Sequence, residues 1–102
     1  MLTPLSAIAD RGACAHLWDE ADADGVQITG EPKVRVLGNE RLYLYSGPSD
    51  ECIKKDTFVV PGDVMMIYVL YKDWISIKYE NPKTKNYVLG WVKANRVLAA
   101  NK

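Results

Sequence analysis

The sequence predicts a mainly β protein, a small antiparallel barrel of five to six short strands behind an N-terminal arm long enough for one short helix. Three observations carry this. Short β-type runs separated by turn residues follow one another from Arg41 to Leu98, at the spacing of a small antiparallel barrel. The stretch before Lys33 differs in kind, being rich in Ala and Asp and poor in β-branched residues until Val26-Gln27-Ile28-Thr29. The chain has 102 residues, enough for one domain with one modest core. Residues 1–32 are therefore read as the arm and 33–102 as the barrel.

In the arm, Thr3-Pro4 is a cap-and-first-turn pair that can start a short helix running through Ala7 toward Trp18, with Gly12 as its weak point. Gly30-Glu31-Pro32 punctuates the boundary. Lys33-Val34-Arg35-Val36-Leu37 and Arg41-Leu42-Tyr43-Leu44-Tyr45 alternate as strands across Gly38-Asn39-Glu40. Ser46-Gly47-Pro48-Ser49-Asp50 is a loop. Thr57-Phe58-Val59-Val60 then runs into Pro61-Gly62-Asp63, where Pro presets the first turn angle and Gly supplies a positive φ. Val64 to Tyr71 is the longest apolar run, too short for a helix and rich in β-formers. Lys72-Asp73 turns it back into Trp74 to Tyr79, where Ile75, Ile77 and Tyr79 share one face and Trp74, Ser76 and Lys78 the other. Asn81 to Asn86 is a polar hairpin tip, Tyr87 to Val92 a strand, Ala94-Asn95-Arg96 one 3₁₀ turn and Val97-Leu98 a last short strand. Closure into a barrel would remove the exposed sheet edges that promote aggregation.

These runs resemble the bacterial Src-homology-3-like (SH3b-type) domains over about residues 34–98. Arg41 to Ser49, Leu42-Tyr43-Leu44-Tyr45 followed by Ser46-Gly47-Pro48-Ser49, is similar to that family's opening strand and loop entry. Val60-Pro61-Gly62-Asp63-Val64 is similar to its Lys-Gly-Asp turn, Asp73-Trp74-Ile75-Ser76-Ile77 to its Gly-Trp-x-x-Val strand, and Gly90-Trp91-Val92 to its Gly-Trp-Val signature. The departures are Asp73 for the usual Gly, Tyr45 for the Arg of the loop entry, and Pro61 where Lys is common. The resemblance implies an SH3-like barrel and a targeting module that binds cell-wall peptides or protein partners, usually attached to an enzyme. No enzyme accompanies the barrel in this sequence.

Charge and cysteine usage narrow the function classes. Lys plus Arg and Asp plus Glu number 13 each, so no global field draws the chain to nucleic acid or an anionic membrane. Lys54-Lys55 and the C-terminal Lys93, Arg96 and Lys102 read as solvated surface. No run reaches the roughly 20 apolar residues of a membrane span. Cys14 and Cys52 are the only cysteines. In an oxidising compartment their disulfide would contribute about 4 kcal/mol by loop entropy; in a reducing one they would be two buried thiols. Ala7-Ile8-Ala9 has the small-x-small form of a signal-peptidase site, so residues 1–9 read either as a leader remnant or as the start of the helix. Together these point to a periplasmic or secreted protein.

Catalytic readings fare poorly. Glu20, Asp22, Asp24, Gly25 and Glu31 approximate a calcium loop, but Gln27 and Pro32 stand where the loop needs an apolar residue and an exiting helix. Cys14 and His16 lie two apart without a third orienting group, and one His with two Cys matches no metal-ligand spacing. Neither metal nor cofactor is expected, and the chain is read as a non-enzyme. The aromatics remain. Tyr43, Tyr45, Tyr68, Tyr71, Trp74, Tyr79, Tyr87 and Trp91 exceed what one small barrel core accommodates, and exposed Tyr and Trp give large contact area for little rotamer entropy. Tyr43, Tyr45, Tyr71 and Trp74 are the first-choice ligand contacts, with Trp91 read as structural first and as a contact second. Residues 46–56 and 81–86 would form the specificity edges. Packing under the N-terminal arm is the competing explanation for Tyr43 and Tyr45. The expected function is an exported binding protein for a protein partner or peptidoglycan peptide, or alternatively an inhibitor or immunity protein that neutralises a cell-wall-degrading enzyme.

Overall fold

The computed structural model describes residues 3–30 and 32–100. The chain opens with α1 (Thr3–Asp24), continues through β1 (Val26–Gln27), β2 (Lys33–Val36) and β3 (Leu42–Tyr45), and makes a 3₁₀ turn at Asp50–Cys52. It then runs through β4 (Ile53–Val59), β5 (Val64–Tyr71), β6 (Trp74–Glu80) and β7 (Tyr87–Lys93), a second 3₁₀ turn at Ala94–Arg96, and β8 (Val97–Ala99). All pairings are antiparallel, in the order β4-β3-β7-β6-β5-β2-β8, with β1 beside the far end of β5. The fold is thus mainly β with one helix, as expected.

One expectation needs correction. The helix is 22 residues long rather than short; Gly12 does not interrupt it. The residues of the leader reading from Thr3 onward form its first turns, while Met1 and Leu2 lie outside the described residues. The sheet curls into an antiparallel half-barrel, consistent with the small barrel expected, with β4 and β8 at the two ends of its strand order.

The inner face follows from strand alternation. Leu42 and Leu44, Val34 and Val36, Met65 and Ile67, Ile75 and Ile77 point inward and pack with Val59 and Val92 in one core. The Pro61-Gly62 turn forms as predicted: Gly62 has φ +94° and Asp63 N–H donates to the Val60 carbonyl at 3.0 Å. Arg96, expected to be solvated, instead donates to the Leu37 carbonyl at 2.9 Å and the Glu40 carbonyl at 2.7 Å, closing the β2–β3 loop.

One irregularity gives the outer face its character. In β5 the register against β6 shifts between Ile67 and Val69, so Tyr68 is the extra residue of a β-bulge. Met65 and Ile67 lie inside, whereas Val69 joins Tyr68 and Tyr71 on the outside. The outer face therefore carries an apolar patch, and α1 covers it. Cys14, Trp18 and Ala21 recur at helical spacing on one face, with Cys14 and Ala21 buried. The disulfide Cys14–Cys52 ties that face to the 3₁₀ turn before β4, with Cα atoms 5.8 Å apart. No helix among the described residues is long and apolar enough to cross a membrane.

Candidate functional site

The predicted contacts are brought together, but largely by packing on one another. Trp91 is 0 % exposed and Trp74 is 8 % exposed, and they join Val69 and Ala21 in a second core between α1 and the sheet. Trp74 does lie on the face opposite Ile75 and Ile77; that face is covered. Trp74 is therefore corrected from a ligand contact to an interior residue, because its face is covered where solvent was expected, whereas Trp91 takes the structural place read for it first and loses only its secondary role as a contact. Tyr45 and Tyr71 are half-buried against the same cluster, Tyr45 edge-on to Trp74 at 4.8 Å between centroids. Tyr43 projects outward from the leucine row as read, half-buried and edge-on to Phe58 at 5.7 Å, while the Arg41 guanidinium lies 4.2 Å over that Phe58 ring. Trp18 meets Trp91 edge-to-face at 6.1 Å.

The part of the outer face that the helix leaves uncovered lies along β7. Tyr87, Leu89 and Trp91 share this face, and their exposure falls from 60 % through 43 % to 0 % as the strand passes under α1. Beside the bare end is a groove of about 440 Å³ whose walls are Trp18 and Asp22 of α1, Tyr68 and Val69 of β5, Lys78 of β6, and Tyr87 and Leu89 of β7. Sequence reasoning placed Tyr68, Tyr87 and Trp18 in the fold but did not choose them as contacts. The available signal was the spacing Cys14, Trp18, Ala21, Gly25, which marks where a helix docks and so which outer residues stay free.

Charge is placed sparingly around this groove. The Lys78 ammonium lies 5.2 Å from the Tyr87 ring centre, a cation–π arrangement. On the opposite wall, burial pushes the Asp22 carboxyl above its usual range, a hydrogen bond with Trp18 acts against this, and the neighbouring Asp19 charge adds to it. At the other rim of the outer layer Lys93 pairs with Asp50 at 2.8 Å and stands 5.1 Å over the Trp74 ring. The hydrogen bond to Asp50 raises the Lys93 pKa above its ordinary value.

The other readings resolve on geometry. On α1 Asp22 points to a different face from Glu20 and Asp24, which are four apart, so the three do not converge as a calcium loop's ligands do, and Glu31 lies outside the described residues. Cys14 is spent in the disulfide, and His16 pairs with Glu20 at 3.1 Å on the exposed helix surface. Among the described residues no three of His, Cys, Asp and Glu gather as a metal would need. Comparison with known proteins adds no constraint: no family model, no curated protein and no solved structure matches the chain.

Proposed function

We propose that the chain is a non-enzymatic, exported binding protein that recognises a protein partner through the outer-face groove between α1 and the β6–β7 hairpin. The observation that carries this reading is the exposure gradient along β7, in which Leu89 and Tyr87 continue a buried aromatic row into solvent beside Trp18 and Tyr68. Apolar side chains left bare next to a preformed aromatic wall resemble the centre of a recognition patch. Export is supported by the buried disulfide, since such bonds persist in oxidising compartments. The resemblance of the Trp74 and Trp91 motifs to bacterial SH3-like domains, which serve as targeting modules, supports a binding role as well.

The test uses the disulfide-intact chain as bait in envelope extract, with sedimentation on purified peptidoglycan in parallel. Partner capture that falls roughly tenfold or more in Leu89→Asp and Tyr87→Ala, at unchanged fold, is the expected result. Binding to purified peptidoglycan with no protein captured would replace the protein partner by a cell-wall peptide. A captured cell-wall hydrolase whose activity falls in proportion to added chain would make the same surface inhibitory. Capture unaffected by either substitution would remove the groove from the site.

A further inference from the structure

β3 is shorter than the strand beside it. It bridges β7 only at Tyr45–Trp91, and after Tyr45 the chain leaves the sheet, with Ser46 N–H bonded to the Cys52 carbonyl and Gly47 packed against Cys14. Tyr87, Val88 and Leu89 consequently pair with β6 on one side and, among the described residues, with no strand on the other. The peptide groups that face this gap follow from the ladder. Asn81 N–H donates to the Asn86 carbonyl at the start of the same register. Since alternate residues of an antiparallel strand point their N–H and C=O to opposite sides, Val88 bonds toward β6, while Tyr87 and Leu89 present theirs to the gap.

This half-edge is unprotected in a way the other edges are not. β4 carries Lys54, Lys55 and Asp56, and β8 has three residues, both common means of blunting an edge. Tyr87, Val88 and Leu89 carry no charge and no Pro, and all three are exposed. Clefts flank the half-edge on both sides. One is the outer groove with Trp18, Tyr68 and Leu89; the other, about 480 Å³, is lined by Phe58, Tyr79 and Val88 with Asp56 as its one charged residue. No cation is paired with Asp56 or Asp22 among the described residues.

Resting on the function proposed above, we infer that the half-edge Tyr87 to Leu89 takes up an extended segment of the partner as an added strand, a segment with apolar residues on one face and Lys or Arg on the other. Strand addition gives affinity through main-chain bonds and selectivity through alternate side chains entering pockets on the two faces. Here the outer pocket accepts an aromatic or aliphatic side chain against Trp18 and Leu89, and the inner one a cation beside Asp56.

A displayed library of random peptides selected on the disulfide-intact chain tests this, followed by amide hydrogen exchange with one enriched synthetic peptide. The expected consensus alternates apolar and basic residues, and binding slows exchange at the Tyr87 and Leu89 amides while leaving Val88 nearly unchanged. Tyr87→Pro deletes one outward N–H at the first strand position, where Pro is tolerated, and should weaken the peptide about fivefold to tenfold; Leu89→Lys, which guards the edge, should do the same without relying on Pro. Selected peptides that leave those two amides unprotected, or a selection that yields none, overturn strand addition. If partner capture still depends on Leu89 in that case, the binding function stands; if it does not, both fall. A chain that sediments as a dimer through this edge overturns the partner segment in favour of a second copy.

Discussion

The inner face of the sheet is packed with Val, Leu, Ile and Met from strands that alternate cleanly, whereas the outer face is packed with Trp and Tyr beneath a helix held by one covalent bond and a few side chains. The inner core draws on β2 to β7 and, among the described residues, includes none of α1. The outer core needs α1, since Ala21 and Trp18 form its far wall. Two layers of such different construction should separate in stability, the inner one setting global unfolding and the outer one opening first. Function would draw on the weaker layer, because the exposed continuation of its aromatic row is what borders the groove.

Replacing both Cys14 and Cys52 by Ser is the most severe test of that difference. The bridged residues are 38 apart in sequence, so the loop-entropy model puts the loss at about 4 kcal/mol. Release of α1 should accompany it, with faster amide exchange over Leu17 to Asp24 and a change in Trp fluorescence, while amides of β5 and β6 stay comparatively protected. Uniform loss of protection across helix and sheet would mean that the two layers form one cooperative unit. The bond itself is shielded: both cysteines are buried, and a Cβ on Gly47 would stand 2.6 Å from the Cys14 carbonyl oxygen, leaving no space beside it.

Ile77→Ala probes the other layer. Ile77 is 1 % exposed at the centre of the inner core, and truncation there should cost roughly 2–4 kcal/mol by lost transfer energy and cavity formation. In denaturant melts the far-UV circular dichroism transition should move to lower denaturant more than the Trp fluorescence transition, because all three Trp residues lie in the outer layer that opens first; coincident shifts would mean that the two layers unfold as one unit. A loss below about 0.5 kcal/mol would overturn the assignment of Ile77 to a tightly packed core.

How far the sequence reveals this arrangement depends on what each signal measures. The inner core was legible because Ile75, Ser76, Ile77 and Lys78 alternate, and the Val60 to Asp63 turn because Pro and Gly have fixed angular needs. Period-two alternation also put Trp74 on the correct face, but alternation says nothing about what lies against that face, so a buried Trp read as an exposed one. The bulge at Tyr68 left no trace, since Val64 to Tyr71 is apolar on both sides and a parity switch inside it changes no polar marker. The helix was underestimated for a related reason: over residues 12–24 the stripe it turns to the sheet is buried Cys14 and Ala21 with half-buried Trp18, too sparse in large apolar residues to stand out among Ala and Asp. Arg96 was misread because a charge reaching two loop carbonyls looks, in sequence, like any solvated charge.

The smallest expected effect concerns the rim of the outer layer, where Lys93 of β7 pairs with Asp50 beside the disulfide. Both groups are well exposed, so the pair contributes little, but its pH dependence has a definite sign. The hydrogen bond to Asp50 raises the folded-state pKa of Lys93 above the ordinary 10.5. A cation whose pKa is higher when folded adds stability that is fully present below that ordinary value and is lost as pH rises through the folded one. Asp50→Asn keeps the shape of the side chain and removes the charge. The difference in melting temperature between the parent chain and Asp50→Asn should therefore be constant near neutral pH and shrink above pH 10.5. If that difference is already absent at neutral pH and low salt, where screening is weakest, the ion pair does not help hold the outer rim, and the attachment of α1 rests on the disulfide and the packing around Trp18 alone.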